Sequence, residues 1–191
     1  MSEADKNDPK SPIDELSGGY EVFRTEIDKH PLARKMAEVA IITFGGSVNL
    51  MQPFVEARYL PERRFTADGA TPMGAAINLG IDELTQRKSQ YKTQGLSYVR
   101  PWFVVISDGA PTDDPEYFAQ AAQRLKDYEE KKGVSVFAIG VGPFADLNAL
   151  SKLGHRPPKL IRKPAAFQEF FAWLCAAMIA GSTSKEGEQL F

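Results

Sequence analysis

The chain has 191 residues, 43% of them hydrophobic and 25% charged, with a formal net charge of -2 from 23 basic and 25 acidic side chains. That length suits one domain and that composition is globular. The near-neutral balance excludes a basic nucleic-acid footprint and a bulk attraction to anionic membranes. One cysteine, Cys175, excludes an internal disulfide and a multi-cysteine metal centre, and His30 and His155 are too few for a histidine-rich cluster.

No apolar run approaches the roughly 20 residues that cross a bilayer. Met1–Ser11 is polar and unlike a secretory signal, so the expected compartment is the cytoplasm. A first helix is predicted from Pro12 to about His30. Ser11 suits its N-cap, and Asp14 and Glu15 suit the positive end of its dipole. Ile13, Leu16, Tyr20, Phe23 and Ile27 recur at helical spacing. The Gly18–Gly19 pair costs helix stability and is expected to let the helix approach a sheet closely. EVAIITF (38–44) reads as a buried strand, followed after Gly45–Gly46 by an antiparallel edge partner over 48–54.

Residues 55–68 read as loop, 72–88 as a helix burying Met73, Ala76, Ile77, Ile81 and Leu84, and 86–98 as a helix end and loop. PWFVVIS (101–107) is the strongest predicted strand. A helix over 115–132 with Phe118, Ala121, Ala122, Leu125 and Tyr128 inward leads to an apolar strand over 134–141. A short helix (145–153), a small strand (160–162) and a closing helix (165–180) complete the domain, expected over 1–180, with a polar tail at 181–191. Strands and helices alternate and the strands are apolar along their length. This predicts a mostly parallel sheet covered on both faces, with ligands at the carboxyl ends of its strands.

Three features invite chemistry. Asp68-Gly69-Ala70-Thr71-Pro72 is a glycine-containing loop opening a helix. Ser107-Asp108-Gly109 ends the best strand, and the N-terminal loop carries Ser2, Ser11 and several acids. Alone, Thr71 reads as an N-cap and Asp108-Gly109 as a turn. Together the Thr71 hydroxyl and the Asp108 carboxylate supply half of the oxygen shell that a hard divalent cation prefers. His155 reads as a solvated loop residue, His30 as a helix-end residue and Cys175 as core. Glu169, Arg63–Arg64 and Lys131–Lys132 read as surface. No phosphate-binding glycine motif is present.

The stretches EVAIITFGG (38–46), DGATPMGAAINLGIDEL (68–84), YVRPWFVVISDGAPTDD (98–114) and VSVFAIGVG (134–142) closely resemble the von Willebrand factor type A domain. The nearest subgroup is the bacterial cytoplasmic one associated with tellurium resistance, and the likeness runs through RKPAAFQEFFAWL. The resemblance implies a doubly wound α/β sheet with an antiparallel edge strand and helices on both faces. It also implies a metal-ion-dependent adhesion site in which Thr71 takes the threonine role and Asp108 the later aspartate role.

That site binds Mg2+ or Mn2+ and is completed by a carboxylate from a protein partner. Kinase-like and phosphatase-like proteins are the partners the subgroup suggests, and neither nucleic acid nor membrane is expected. The family's Asp-x-Ser-x-Ser motif and first, central strand are missing, and Met1 stands where the family has an internal methionine. The expectation is a chain short by about 15 residues or fewer, with weak or absent metal affinity and a gap between the EVAIITF and PWFVVIS strands. The leading expectation is a non-enzymatic interaction module. The alternatives are a magnesium-dependent enzyme acting on phosphorylated substrates through Asp108, or a non-functional truncated product.

Overall fold

The computed structural model describes residues 11–66, 69–162 and 165–183. The predicted N-terminal loop (1–10) with Ser2, the tail beyond 183 and Asp68 lie outside the described residues. In chain order the elements are α1 (Pro12–Asp28), α2 (Ala33–Met36), β1 (Glu38–Gly45), β2 (Ser47–Glu56), α3 (Met73–Thr93) and β3 (Trp102–Ser107). They continue with α4 (Pro115–Glu130), β4 (Ser135–Val141), α5 (Leu147–Ser151), β5 (Lys159–Ile161) and α6 (Ala165–Thr183). A single 3-10 turn at Ala57–Tyr59 follows β2. No helix among the described residues is long and apolar enough to cross a membrane.

The start of α1 follows its sequence signals. Pro12 opens the helix, the Ser11 hydroxyl accepts from the Asp14 N–H at 3.3 Å, and Asp14 and Glu15 occupy the first turn. The end of α3 does not: the helix continues to Thr93 instead of giving way to loop near Lys88. Gln86, Arg87, Lys88 and Gln90 are good helix formers. Arg87 is also held in place by Glu38 of β1, with its Nε donating to the carboxylate at 2.8 Å. Termination waits for Gly95, whose φ of +67° a side chain would resist.

Helices cover both faces. On one face α3, α4 and α5 bury Met73, Ile77, Ile81, Leu125, Leu150 and Leu153 against β3 and β4. On the other, α1, α2 and α6 bury Phe23, Ile27, Phe167, Phe170 and Phe171 against Ile139, Val141 and Ile161. The close approach made by the glycine pair in α1 is to α6 rather than to a sheet. A Cβ on Gly19 would stand 2.5 Å from Cδ2 of Phe171, whereas one on exposed Gly18 would meet nothing within 4 Å. Neighbouring substitutions should therefore act with opposite sign. Gly18→Ala is expected to raise stability by about 0.5–1 kcal/mol through backbone entropy, and Gly19→Ala to lower it by about 1–3 kcal/mol through overpacking. Thermal melts of the two variants beside the parent chain check this.

The strands form two sheets, not one. β1 and β2 make an antiparallel pair, and β3, β4 and β5 make a parallel sheet in that order. β1 was expected to be buried, yet all eight of its residues are half-exposed. The cause is positional: one edge of β1 pairs with β2 and the other faces a gap, as does the edge of β3 away from β4. Between them lies a cavity of about 1330 Å³, bordered by β1, β3, α1, α3 and α6.

Candidate metal centre and strand slot

The two loops that carry the candidate ligands are built against each other. The Thr71 N–H donates to the Thr112 hydroxyl at 2.8 Å, and the Thr71 carbonyl accepts from the Thr112 N–H at 2.9 Å and the Met73 N–H at 2.7 Å. Ahead of Thr71, the Ala70 carbonyl accepts from the Gly46 N–H at 2.8 Å, just past the end of β1. The ends of β1 and β3 therefore meet at one mouth of the cavity, and both strands run toward it. Thr71 and Asp108 border the cavity at that mouth.

Thr71 is not the cap of α3. Pro72 holds that position and offers no side-chain acceptor. The cap comes from Asp113 in the loop after β3, whose Oδ2 accepts from the Gly74 N–H at 2.8 Å and whose Oδ1 accepts from the Ala75 N–H at 3.2 Å. Such a cap contributes about 0.5–2 kcal/mol and here also ties two loops. A Cβ on Gly74 would lie 3.3 Å from the Asp113 carboxyl carbon, so the glycine admits the carboxylate. Sequence reasoning missed Asp113 and Thr112, because a cap reaching across 39 residues leaves no local signal; it also named no cap for α4, which Asp114 provides by accepting from the Glu116 and Tyr117 N–H groups.

Relieved of capping, the Thr71 hydroxyl turns toward the loop after β3, 3.7 Å from where a Cβ on Gly109 would stand. Asp108, the residue before Gly109, is exposed. Among the described residues, neither the Thr71 hydroxyl nor the Asp108 carboxylate is engaged by a protein hydrogen-bond partner. Both are oxygen donors of the kind Mg2+ takes. In a six-oxygen shell with several retained waters, the Thr71 hydroxyl and the Asp108 carboxylate would supply two of the ligands. Asp113 is already engaged, both its oxygens holding backbone N–H groups of α3. No group of three His, Cys, Asp or Glu side chains among the described residues could hold a metal. The donor set fits a hard cation in kind and falls short in number.

At the opposite mouth, Glu38 is paired with Arg87. Burial raises the Glu38 carboxyl, but hydrogen bonds from Arg87 and Tyr91 outweigh it and hold it below its ordinary value. Burial, then the Glu38 hydrogen bond, pushes Tyr91 up to about 12. The remaining candidates are structural. Cys175 is buried and its thiol is raised, first by burial and then by Glu26. His155 is exposed and donates its backbone N–H to Glu129 at 2.8 Å. His30 and Glu169 are exposed. Arg63 departs from the expected solvated surface: it is half-buried, its backbone N–H donates to Glu21 at 3.2 Å, and its Nε is buried without a partner.

A doubly wound α/β domain with an oxygen-bearing crevice at the carboxyl ends of its strands is the class that this geometry defines. Residues 27–172 match the family model of the von Willebrand factor type A domain, and the chain belongs to that family. No curated protein matches the chain. Among solved structures it is similar to proximal thread matrix protein 1 from the mussel byssus, at 14% identity and a TM-score of 0.56, over 86% of this chain and 42% of that one. It is also similar to the SpRpn10 VWA domain, at 15% identity and a TM-score of 0.52, over 82% of this chain and 80% of that one. A further structure of the mussel protein, with a zinc-occupied MIDAS motif, aligns at 12% identity and a TM-score of 0.50, over 82% and 42%. The chain spans well under half of the mussel protein, and at these identities the likeness shows the fold.

Proposed function

We propose that the chain is a non-enzymatic protein-interaction module in which Thr71 and Asp108 hold a divalent cation, Mg2+ or Mn2+, and a carboxylate from a protein partner completes its shell. What supports this reading is that the loops carrying Thr71 and Asp108 are tied to each other at one strand-end mouth, with neither side chain hydrogen-bonded among the described residues, while Asp113 caps α3. Family membership and the zinc-occupied motif of the mussel relative support it. The resemblance implies that the remaining ligands come from an Asp-x-Ser-x-Ser motif, which these 191 residues do not contain, on a first strand that would stand between β1 and β3. With that strand counted first, the sheet order is 3-2-1-4-5-6, the doubly wound order whose switch point lies beside strand four, here β3 and Asp108.

The resemblance to the tellurium-resistance subgroup extends the reading to a bacterial cytoplasmic setting with kinase-like and phosphatase-like partners. Metal affinity in the 191-residue chain is weak, because two protein ligands leave most of the shell to water. Titration with Mn2+ followed by NMR line broadening tests the site without a partner. Broadening is expected first at Thr71, Asp108 and Gly109, and is lost in Thr71→Ala and Asp108→Ala. Broadening centred elsewhere, or unchanged by both substitutions, would overturn the reading.

A further inference from the structure

At the start of α3 the local sequence and the fold disagree. Thr71-Pro72-Met73-Gly74 has the spacing of a threonine N-cap with proline at the first helical position, in which the hydroxyl accepts from the N–H three residues on, that of Gly74. Gly74 is buried, so leaving that N–H without an acceptor would be costly. The acceptor comes instead from the loop after β3: Asp113 Oδ2 takes the Gly74 N–H at 2.8 Å, and Oδ1 takes the Ala75 N–H at 3.2 Å. The glycine makes room for it, since a Cβ on Gly74 would lie 3.3 Å from Oδ1.

The Thr71 hydroxyl thus has two alternative tasks. Turned toward α3 it would cap the helix; turned toward the loop after β3 it faces the Gly109 backbone, 3.7 Å from where a Cβ there would stand. The second orientation is the one observed. The Thr71 backbone is meanwhile pinned by the neighbour of Asp113. Its N–H donates to the Thr112 hydroxyl at 2.8 Å, and its carbonyl accepts from the Thr112 N–H at 2.9 Å. Residues 112 and 113 therefore set both where Thr71 sits and what its side chain is free to do. A local rule overridden from across the fold, with no apolar packing gained, is the pattern expected at a functional position.

We infer that Asp113 is a positioning residue of the cation site: by taking over the cap of α3 it keeps the Thr71 hydroxyl available to a cation beside Asp108. The inference rests on the reading of Thr71 and Asp108 as cation ligands. Without Asp113, Thr71 reverts to the cap and the cation keeps Asp108 alone. An acid that merely tied two loops together, or that attracted cations by its charge, would behave differently.

The test compares Asp113→Ala with Asp113→Asn. Asparagine caps helices as well as aspartate does, so it keeps the cap and loses the charge, whereas alanine loses both. In EDTA, Gly74 amide exchange should stay within about twofold of the parent rate in Thr71→Ala and in Asp113→Ala, because each retains one cap. It should quicken by about fivefold in the double variant, which has neither. In an Mn2+ titration followed by NMR, broadening at Asp108 and Gly109 should need at least about fivefold more metal in Asp113→Ala than in the parent, but within about twofold of the parent amount in Asp113→Asn.

Fast Gly74 exchange in Asp113→Ala alone would show that Thr71 does not take the cap. Equal Mn2+ responses of the alanine and asparagine variants would show that charge, not capping, is at work. Either result overturns the inference while the cation reading stands. Broadening of the parent chain away from Thr71 and Asp108 is instead the failure of the cation reading, visible before any substitution at Asp113, and the inference falls with it.

Discussion

Glu129→Ala is expected to cost about 3–5 kcal/mol, the loss seen when one partner of a buried charged network is removed. Glu129 is 8% exposed, on the inner face of α4. Its Oε1 accepts from the Val136 N–H at 2.8 Å and from Arg156 at 3.0 Å, and its Oε2 accepts from the His155 N–H at 2.8 Å. One carboxylate thus holds the end of α4, the start of β4 and the loop leading to β5. Gly154 lets it approach, since a Cβ there would lie 2.8 Å from Oε2. Alanine would strand two backbone N–H groups, each unsatisfied donor costing about 1–3 kcal/mol. For a chain of this size each kcal/mol moves Tm by about 2–4 °C, so a fall near 10 °C is expected. Glu129→Gln keeps an acceptor for one of the N–H groups and should lose less than alanine does. Thermal and urea melts measure both. A Glu129→Ala loss under 1 kcal/mol would mean that the carboxylate is not the joint described.

How much of this was legible in the sequence depends on how local its cause is. The cap of α1 by Ser11 and the strand at 102–107 follow from neighbours in sequence and were readable. Glu129 was half-readable. It continues the series Phe118, Ala121, Ala122 and Leu125 on the inner face of α4, and a charge on an apolar face is a signal. Its partners, 7 to 27 residues away, leave none. The extension of α3 to Thr93 depends on Arg87 meeting Glu38, 49 residues earlier, so composition alone placed the helix end too soon. Apolar character was misleading for β1: EVAIITF carries the pattern of a strand buried on both faces, and it is half-exposed because, among the described residues, one of its edges borders the cavity rather than a strand. Of the site, the residue types Thr71 and Asp108 were readable as oxygen donors. The freeing of Thr71 from capping was not, since it follows from Asp113 taking over that role across the fold.

The cavity between β1 and β3 sets two equivalent truncations apart. Leu150 is 0% exposed, inside the cluster formed by α3, α4 and α5, with its Cδ1 at 3.4 Å from the Cβ position of Gly140. Leu150→Ala should cost about 2–5 kcal/mol, the transfer term plus the cavity left in a packed core. Ile106, at the end of β3, is as apolar and removes the same number of carbons when cut to alanine, but it is half-exposed because it borders that cavity. Part of its surface is already against open space, so there is less burial to lose and no sealed void to create. Ile106→Ala is expected to cost less than half of what Leu150→Ala costs, in urea melts with matching m-values. Equal losses would mean that β1 and β3 have closed on each other in solution, sealing Ile106 as fully as Leu150.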